Sequence, residues 1–308
     1  MDRLERINDA LPAGPPLEER QQVGRGSVIS AIEQRLRARE VLLLMEGRRT
    51  GKTSVAVAAL DRIRRQRGRV AVVTLTRFAD PRDATRFLAR QFQSPPRRAT
   101  QSVVSLLRAL DRTPAGELLG SDAASDLAAA SAVLESAIET TEDLSGLLAA
   151  VDGARPTAVL LDEAHALVDW PAGLLSSLNS VLRADLRAGV VIASSDTDAL
   201  ERLTKRGGAL HLVGSRVSLP PITTGRWLGA LRDAFAQLKI EITESTLQKL
   251  IELTNGHPYL TMRLARDTAR IASDNPAPWR AKGAELEAAL YELRRDPVWT
   301  VLHDDADD

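Results

Sequence analysis

Four short runs that are apolar at all or nearly all positions dominate the first two thirds of this chain. They occupy residues 41–45, 70–75, 158–161 and 190–193, and segments with helical periodicity separate them. A strand that is apolar on both faces needs cover on both faces, which is typical of a parallel sheet between two layers of helices. The alternation of strands and helices therefore predicts an α/β fold with a doubly wound, three-layer sandwich.

From residue 220 the pattern changes to helical stripes, one of which contains Trp227, Leu231 and Phe235. This pattern predicts a small all-helical second domain. We expect an irregular segment at 1–20, an α/β domain at 21–219 with a helical insertion at about 94–156, a helical domain at 220–295 and an acidic tail at 296–308, of which residues 303–308 are expected to be disordered.

Composition excludes several classes of site. The chain has no cysteine, which rules out disulfides, thiolate metal sites and a cysteine nucleophile. No run of about 18 uncharged apolar residues is present, and the charged N-terminus lacks the layout of a secretory signal. We therefore expect a cytoplasmic protein that does not span a membrane.

The first run of apolar residues leads into a candidate phosphate-binding loop, Gly47-Arg48-Arg49-Thr50-Gly51-Lys52-Thr53-Ser54. A glycine-bearing turn between a strand and a helix lets backbone N–H groups point at phosphates. Lys52 would add positive charge at the terminal phosphates, and Thr53 would offer a hydroxyl to Mg²⁺. One departure from the usual G-x-x-x-x-G-K-T pattern is Glu46, which stands at the position of the first glycine. Its carboxylate must point away from the phosphates or pair with Arg48 or Arg49.

Asp162 and Glu163 follow the apolar run at 158–161. At this place the aspartate would order Mg²⁺, and the glutamate would polarise a water for attack on the γ-phosphate. Both carboxylates are expected at the carboxyl edge of the sheet, where ligands bind in such folds. The two motifs together predict a P-loop ATPase that uses ATP (or ADP) and Mg²⁺.

Four motifs in this order resemble the STAND-like and archaeal-type ATPases close to AAA+ proteins, over roughly residues 20–272. They are Val23-Gly24-Arg25, the run from Arg48 to Ser54, Leu161 to His165, and Gly256-His257-Pro258. The resemblance implies that Val23, Gly24 and Arg25 line the adenine pocket. It also implies that Gly256 and Pro258 belong to a lid motif that touches the nucleotide. The alternative is that Gly256 ends one helix and Pro258 begins the next, since these residue types are typical of those positions.

The resemblance further implies a polar sensing residue at the end of the fourth strand, where Ser194 and Ser195 stand. The alternative is that these serines cap the following turn. An arginine that acts on the site of a neighbouring subunit is expected shortly after this strand, with Arg216 as the first choice and Arg206 as the second.

Three functions stay open at this stage. The leading one is an ATPase that works as a conformational switch for a protein partner or through self-association. The second is a DNA-associated AAA+ regulator that assembles on duplex DNA, because residues 1–100 carry 21 Lys and Arg against 11 Asp and Glu. Arginines cluster there at Arg62, Arg64, Arg65, Arg67 and Arg69. The third is a nucleotide-binding scaffold that does not hydrolyse, as Glu46 allows.

Overall fold

A computed structural model describes residues 2–14, 16–93, 144–149, 155–184 and 186–304. Most of the helical insertion expected at 94–156 lies outside these residues. The chain divides into two compact units. The sheet unit comprises Ser27–Gly47 and Lys52–Leu219, and the helical unit comprises Met1–Gly26, Arg48–Gly51 and Pro220–Asp308.

Five parallel strands form the centre of the sheet unit, in the order β2-β3-β4-β1-β5. The strands are β1 (Val41–Met45), β2 (Arg69–Thr74), β3 (Thr157–Asp162), β4 (Gly189–Ser194) and β5 (Ser215–Arg216). The helices are α2 (Gly26–Arg37), α3 (Lys52–Arg65), α4 (Pro81–Gln93), α5 (Leu144–Ala149), α6 (Ala172–Arg183) and α7 (Thr197–Thr204). Short 3₁₀ turns follow β2 at Leu75–Arg77 and β3 at Ala164–Asp169.

Every residue of β1, β3 and β4 is buried. Alternate residues of β1 enter two different cores, with Leu43 and Met45 in one cluster and Leu42 and Leu44 in the other. A strand covered on both faces explains the continuous apolar runs of the sequence. The predicted parallel α/β sheet is thus confirmed. β3 and β4 each extend one residue beyond the predicted run at both ends, and β2 begins one residue earlier and ends before Leu75, which belongs to a 3₁₀ turn.

The helical unit contains α1 (Arg3–Ala10), α8 (Thr224–Leu238), α9 (Glu244–Leu253), α10 (Pro258–Asp274), α11 (Gly283–Leu293) and α12 (Pro297–Asp304). Trp227 and Phe235 are fully buried at its centre. The expectation of an all-helical domain needs one correction, because two-residue strands β6 (Glu241–Ile242) and β7 (Arg280–Ala281) pair in parallel. This pair ties the turn after α8 to the turn before α11.

Both ends of the chain differ from their sequence predictions. The segment expected to be irregular contains α1, because Asp2 and Glu5 form a capping box and Ile7 and Leu11 are buried in the helical core. The acidic tail forms α12 as far as Asp304, so His303 and Asp304, which were expected to be disordered, are helical. Residues 305–308 lie outside the described part. Among the helices described here, none has the length and apolar character needed to cross a bilayer.

Candidate functional site

The phosphate loop leaves β1 at Met45 and enters α3 at Lys52. The Lys52 side chain is 5% exposed, and its Nζ donates to the backbone oxygens of Glu46 at 2.8 Å and Gly47 at 2.6 Å. A buried ammonium is stable only with such partners. The loop therefore holds a positive charge next to the N-terminus of a helix, where anions bind favourably.

Glu46 does not pair with either arginine of the loop. Its Oε1 accepts a hydrogen bond from the backbone N–H of Leu219 at 3.2 Å. The carboxylate is therefore used to hold the chain that follows β5. Of the alternatives the sequence allowed, the structure selects the one in which Glu46 avoids the loop arginines.

The side chains of Thr53, in the first turn of α3, and Asp162, the last residue of β3, are in contact. The Thr53 hydroxyl donates to Asp162, with 3.0 Å between Oγ1 and Oδ2. Burial, reinforced by the adjacent carboxylate of Glu163, raises the pKa of Asp162 to about 6, while the Thr53 hydrogen bond and the charge of Lys52 act in the opposite direction. A hydroxyl and a carboxylate this close present the oxygen ligands that Mg²⁺ prefers. The residues present thus fit a magnesium site.

Glu163 follows β3 in a left-handed backbone conformation, with φ of 51°. A non-glycine residue in this region stores strain, which is common at functional sites. The Ser195 hydroxyl donates to Oε2 of Glu163 at 2.7 Å, and Nδ1 of His165 lies 3.2 Å from the same oxygen. The Ser195 hydrogen bond therefore fixes the orientation of this carboxylate.

The structure separates the roles of the two serines. Ser194 is fully buried, and its Oγ donates to the backbone oxygen of Asp196 at 2.8 Å and accepts from the Asp196 N–H at 3.1 Å. It closes the turn before α7, which is the capping alternative. Ser195 instead reaches Glu163 and is the one brought to the acid pair.

Residues Arg48–Gly51, the tip of the phosphate loop, belong to the helical unit. The Arg49 guanidinium lies 4.5 Å from the centre of the Tyr259 ring, and Arg49 has a positive φ of 59°. The Arg48 carbonyl lies 3.3 Å from Nε2 of His257, and the Thr50 carbonyl accepts from Arg25 at 3.4 Å. Three backbone or side-chain contacts thus hold the loop tip in this unit.

The other residues that the resemblance assigns to the nucleotide also lie in the helical unit. Val23 packs on the helical core, and the Gly24 carbonyl accepts from Arg226 at 2.8 Å. Gly256 has a φ of 64°, and its carbonyl accepts from the Trp227 indole at 3.1 Å. The Gly256–Pro258 segment therefore ends α9 and begins α10, as the structural alternative predicted, and His257 caps α10.

The two candidate trans-acting arginines differ in their surroundings. Arg216 lies on β5 and is about half exposed, with its guanidinium 3.3 Å from Glu201 and 3.2 Å from the Met45 carbonyl. Arg206 is exposed in the turn after α7. Arg216 is thus held beside the end of the phosphate-loop strand of its own chain.

Sequence reasoning missed Tyr259 and its partner Asp296. The Tyr259 hydroxyl donates to Oδ2 of Asp296 at 2.7 Å, and Oδ1 of Asp296 accepts from the N–H of Val298 at the start of α12. No single motif spans these contacts, because Tyr259 is 37 positions from Asp296 and 210 positions from Arg49 in the sequence. An aromatic residue directly after the Gly256–Pro258 motif was the only available hint.

No protein-family model and no curated protein sequence matches this chain. Solved structures do resemble it. The Walker-type ATPase of Pyrococcus abyssi aligns with 16% identity over 92% of this chain and 75% of its own, with a TM-score of 0.58. The Aeropyrum pernix ORC1 protein, solved in complex with DNA, aligns with 15% identity over 96% of this chain and 70% of its own, with a TM-score of 0.56. The Thermotoga maritima RuvB Holliday junction branch migration motor aligns with 14% identity over 93% of this chain and 74% of its own, with a TM-score of 0.50. This chain therefore has the fold of the Walker-type ATPase and of the two other solved structures, and at 14–16% identity the likeness concerns the fold alone.

Proposed function

We propose that this chain binds and hydrolyses ATP as an AAA+/STAND-like conformational switch, working in the cytoplasm with a protein partner or a second copy of itself. One observation carries the proposal: Thr53 and Asp162 pair at 3.0 Å beside Glu163, at the carboxyl edge of the strands. Hydroxyl, magnesium-binding carboxylate and candidate base are the parts that phosphoryl transfer to water requires.

Lys52 would bind the terminal phosphates. In the structure its ammonium is directed at two loop carbonyls, and phosphate oxygens are stronger acceptors because they are charged. The backbone N–H groups of the loop and the N-terminus of α3 would contribute further donors. Thr53 and Asp162 would hold Mg²⁺, which when bound neutralises phosphate charge.

Glu163 is proposed to orient and deprotonate the attacking water. The Ser195 hydroxyl and the His165 ring contact one of its carboxylate oxygens, Oε2. The other oxygen, Oε1, is the one we assign to the water. Ser195 is then a positioning residue, since it acts through Glu163.

The switch is proposed to act through the tip of the phosphate loop. Arg48–Gly51 belong to the helical unit, whereas Lys52 and Thr53 belong to the sheet unit. The phosphate loop therefore contains residues of both units. A change of the loop when phosphates bind would alter the contact of Arg49 with Tyr259. The helical unit would then report the nucleotide state to a partner.

Two variants test the ATPase assignment. Lys52→Ala should abolish ATP binding in isothermal titration calorimetry. Glu163→Gln should keep ATP binding and lower turnover by about 10²- to 10⁴-fold, the usual contribution of a general base. Unchanged hydrolysis in both variants would overturn the assignment, and ATP binding without any turnover in the wild type would favour the scaffold.

A dilution series tests self-association. If an arginine of a second copy completes the site, turnover per chain rises with protein concentration, and Arg216→Ala or Arg206→Ala removes that rise. Mixing either variant with Glu163→Gln should restore activity in part, because each chain then supplies what the other lacks. Turnover per chain that is independent of concentration would argue for a switch that works as a monomer.

A further inference from the structure

An arginine stands two residues before each of four neighbouring strands of the sheet unit. In the spatial order β2, β3, β4, β1 these are Arg67, Arg155, Arg187 and Arg39. We call this set the basic rim. Because all the strands are parallel, the basic rim lies at the edge of the sheet opposite to the phosphate loop, which follows the other end of β1.

The strand register aligns the basic rim. Arg69 pairs with Thr157, Ala158 with Gly189, and Val41 with Val190, so the four arginines fall within about two residues of one level. Backbone hydrogen bonds of 2.8 Å from Arg69 to Pro156 and 3.0 Å from Val190 to Glu40 keep the strand starts together. With neighbouring strands about 4.8 Å apart, the basic rim extends over about 14 Å.

All four side chains of the basic rim are exposed. Nearby carboxylates are engaged with other arginines: Glu40 with Arg35 at 2.8 Å, and Glu33 with Arg37 at 3.1 Å and Arg62 at 3.3 Å. Asp152 and Asp185, close to the rim in sequence, lie outside the described residues. The described part of this edge therefore carries a surplus of positive charge.

Two arginines of the basic rim share a left-handed backbone conformation, which Lys239 after α8 also adopts. Arg39 and Arg67 each follow a helix in a left-handed conformation, with φ of 64° in both. Glycine or asparagine is the usual residue at such a helix end, because a larger side chain is strained there. Arginines in the last turns of α2 and α3 have a simpler explanation, since they stabilise helix C-termini. Stabilisation of a helix C-terminus does not explain Arg155 and Arg187, which stand before β3 and β4.

We propose that the basic rim binds the phosphate backbone of duplex DNA. Guanidinium groups form paired hydrogen bonds with phosphates, and 14 Å corresponds to about four base pairs at 3.4 Å each. Single-strand binders add aromatic side chains for base stacking, and none of the residues next to the four arginines in the sequence is aromatic. This surface goes beyond the proposed ATPase, because it uses none of the residues of the phosphate site.

Fluorescence anisotropy with a labelled 30-base-pair duplex tests the proposal. The rim variant changes Arg39, Arg67, Arg155 and Arg187 to Gln, and the control variant changes Arg6, Arg232, Arg280 and Arg294 to Gln. Four phosphate contacts correspond to a slope of about −3.6 in log K against log salt concentration. We expect the rim variant to lose at least about tenfold in affinity and most of this slope, whereas the control stays within about threefold.

Several outcomes would overturn the proposal: a wild type that does not bind the duplex at low salt, equal losses in both variants, or tighter binding of single-stranded DNA or of duplex RNA. The rim variant should keep the wild-type melting temperature and ATP turnover, since Lys52 lies at the other edge of the sheet. Loss of DNA binding with intact turnover would therefore support the rim even if the switch proposal fails.

Discussion

The Ser195 hydroxyl donates a 2.7 Å hydrogen bond to Oε2 of Glu163, which follows the last residue of β3. The bond joins the ends of two neighbouring strands, β3 and β4. It fixes a carboxylate whose own backbone is strained, with φ of 51°. A base that must point at a water benefits from such support, because its side chain would otherwise sample several rotamers.

Ser195→Ala should therefore lower kcat for ATP hydrolysis by about 10- to 100-fold while the KM for ATP changes little, since the hydroxyl touches Glu163 rather than the phosphates. Ser195→Thr keeps a hydroxyl and should recover most of the activity. Steady-state phosphate release measures all three proteins. An equal loss in Ser195→Thr, or a change in KM alone, would contradict a positioning role.

Tyr259 is expected to preorganise the tip of the phosphate loop. Its ring lies 4.5 Å from the Arg49 guanidinium, and such a contact contributes about 0.5–1 kcal/mol at a partly exposed site. Tyr259→Leu should raise the Kd for ATP by about two- to fivefold, whereas Tyr259→Phe, which keeps the ring, should bind like the wild type. Titration calorimetry separates the two. If Phe is as poor as Leu, the hydroxyl bond to Asp296 is the important contact instead.

The pKa of about 6 at Asp162 makes the stability of the metal-free protein depend on pH. The folded state binds this proton more tightly than the unfolded chain, whose carboxyl has its ordinary pKa of 3.8. The free energy of unfolding should therefore fall as pH rises from about 4 through 6. Above pH 7 the ionised, buried carboxylate costs up to about 3 kcal/mol, at about 1.4 kcal/mol per pKa unit.

Asp162→Asn should thus be more stable than the wild type at pH 8 and equally stable at pH 4, in urea titrations with EDTA present. The exposed Asp233→Asn on α8 serves as the control, and it should show no such trend. A constant difference between Asp162→Asn and the wild type across this range would show that the gain has another origin.

Glu46 is expected to matter for stability more than for nucleotide binding, because Oε1 accepts from the N–H of Leu219 at 3.2 Å. Glu46→Gly restores the usual loop glycine but removes this acceptor, which should cost about 1 kcal/mol of unfolding free energy. Glu46→Gln keeps an oxygen acceptor and should cost less. ATP affinity should stay within about threefold in both variants. A gain in affinity of tenfold or more for Glu46→Gly would mean that the carboxylate repels phosphates.

Much of the sheet unit follows from the sequence. The apolar runs predicted β1, β3 and β4 to within one residue at each end. A strand that is buried on both faces has apolar residues at consecutive positions, which makes it recognisable in the sequence. The sequence also predicted that the phosphate loop and the acid pair Asp162-Glu163 lie at the same edge of the sheet. Parallel strands end at one edge, so residues that follow two such strands must come close.

The N-terminal helix shows where sequence reasoning was too weak. Asp2 and Glu5 form a capping box that can be read in the sequence, yet an eight-residue helix is stable only when its apolar face is covered. Ile7 and Leu11 find that cover on the helical core, 220 residues further along the chain. The same holds for α12, whose first turn is held by Asp296 and packed through Trp299.

The sequence by itself determined the chemistry that is present: a lysine and a threonine at the start of a helix, and two carboxylates at the end of an apolar strand. Only the tertiary structure decided which side chains meet. It chose Ser195 over Ser194 for Glu163, placed Tyr259 on Arg49, and aligned four arginines at one edge of the sheet. The physical reason is that motifs are local in sequence, whereas strand order, register and packing bring together residues that the chain keeps far apart.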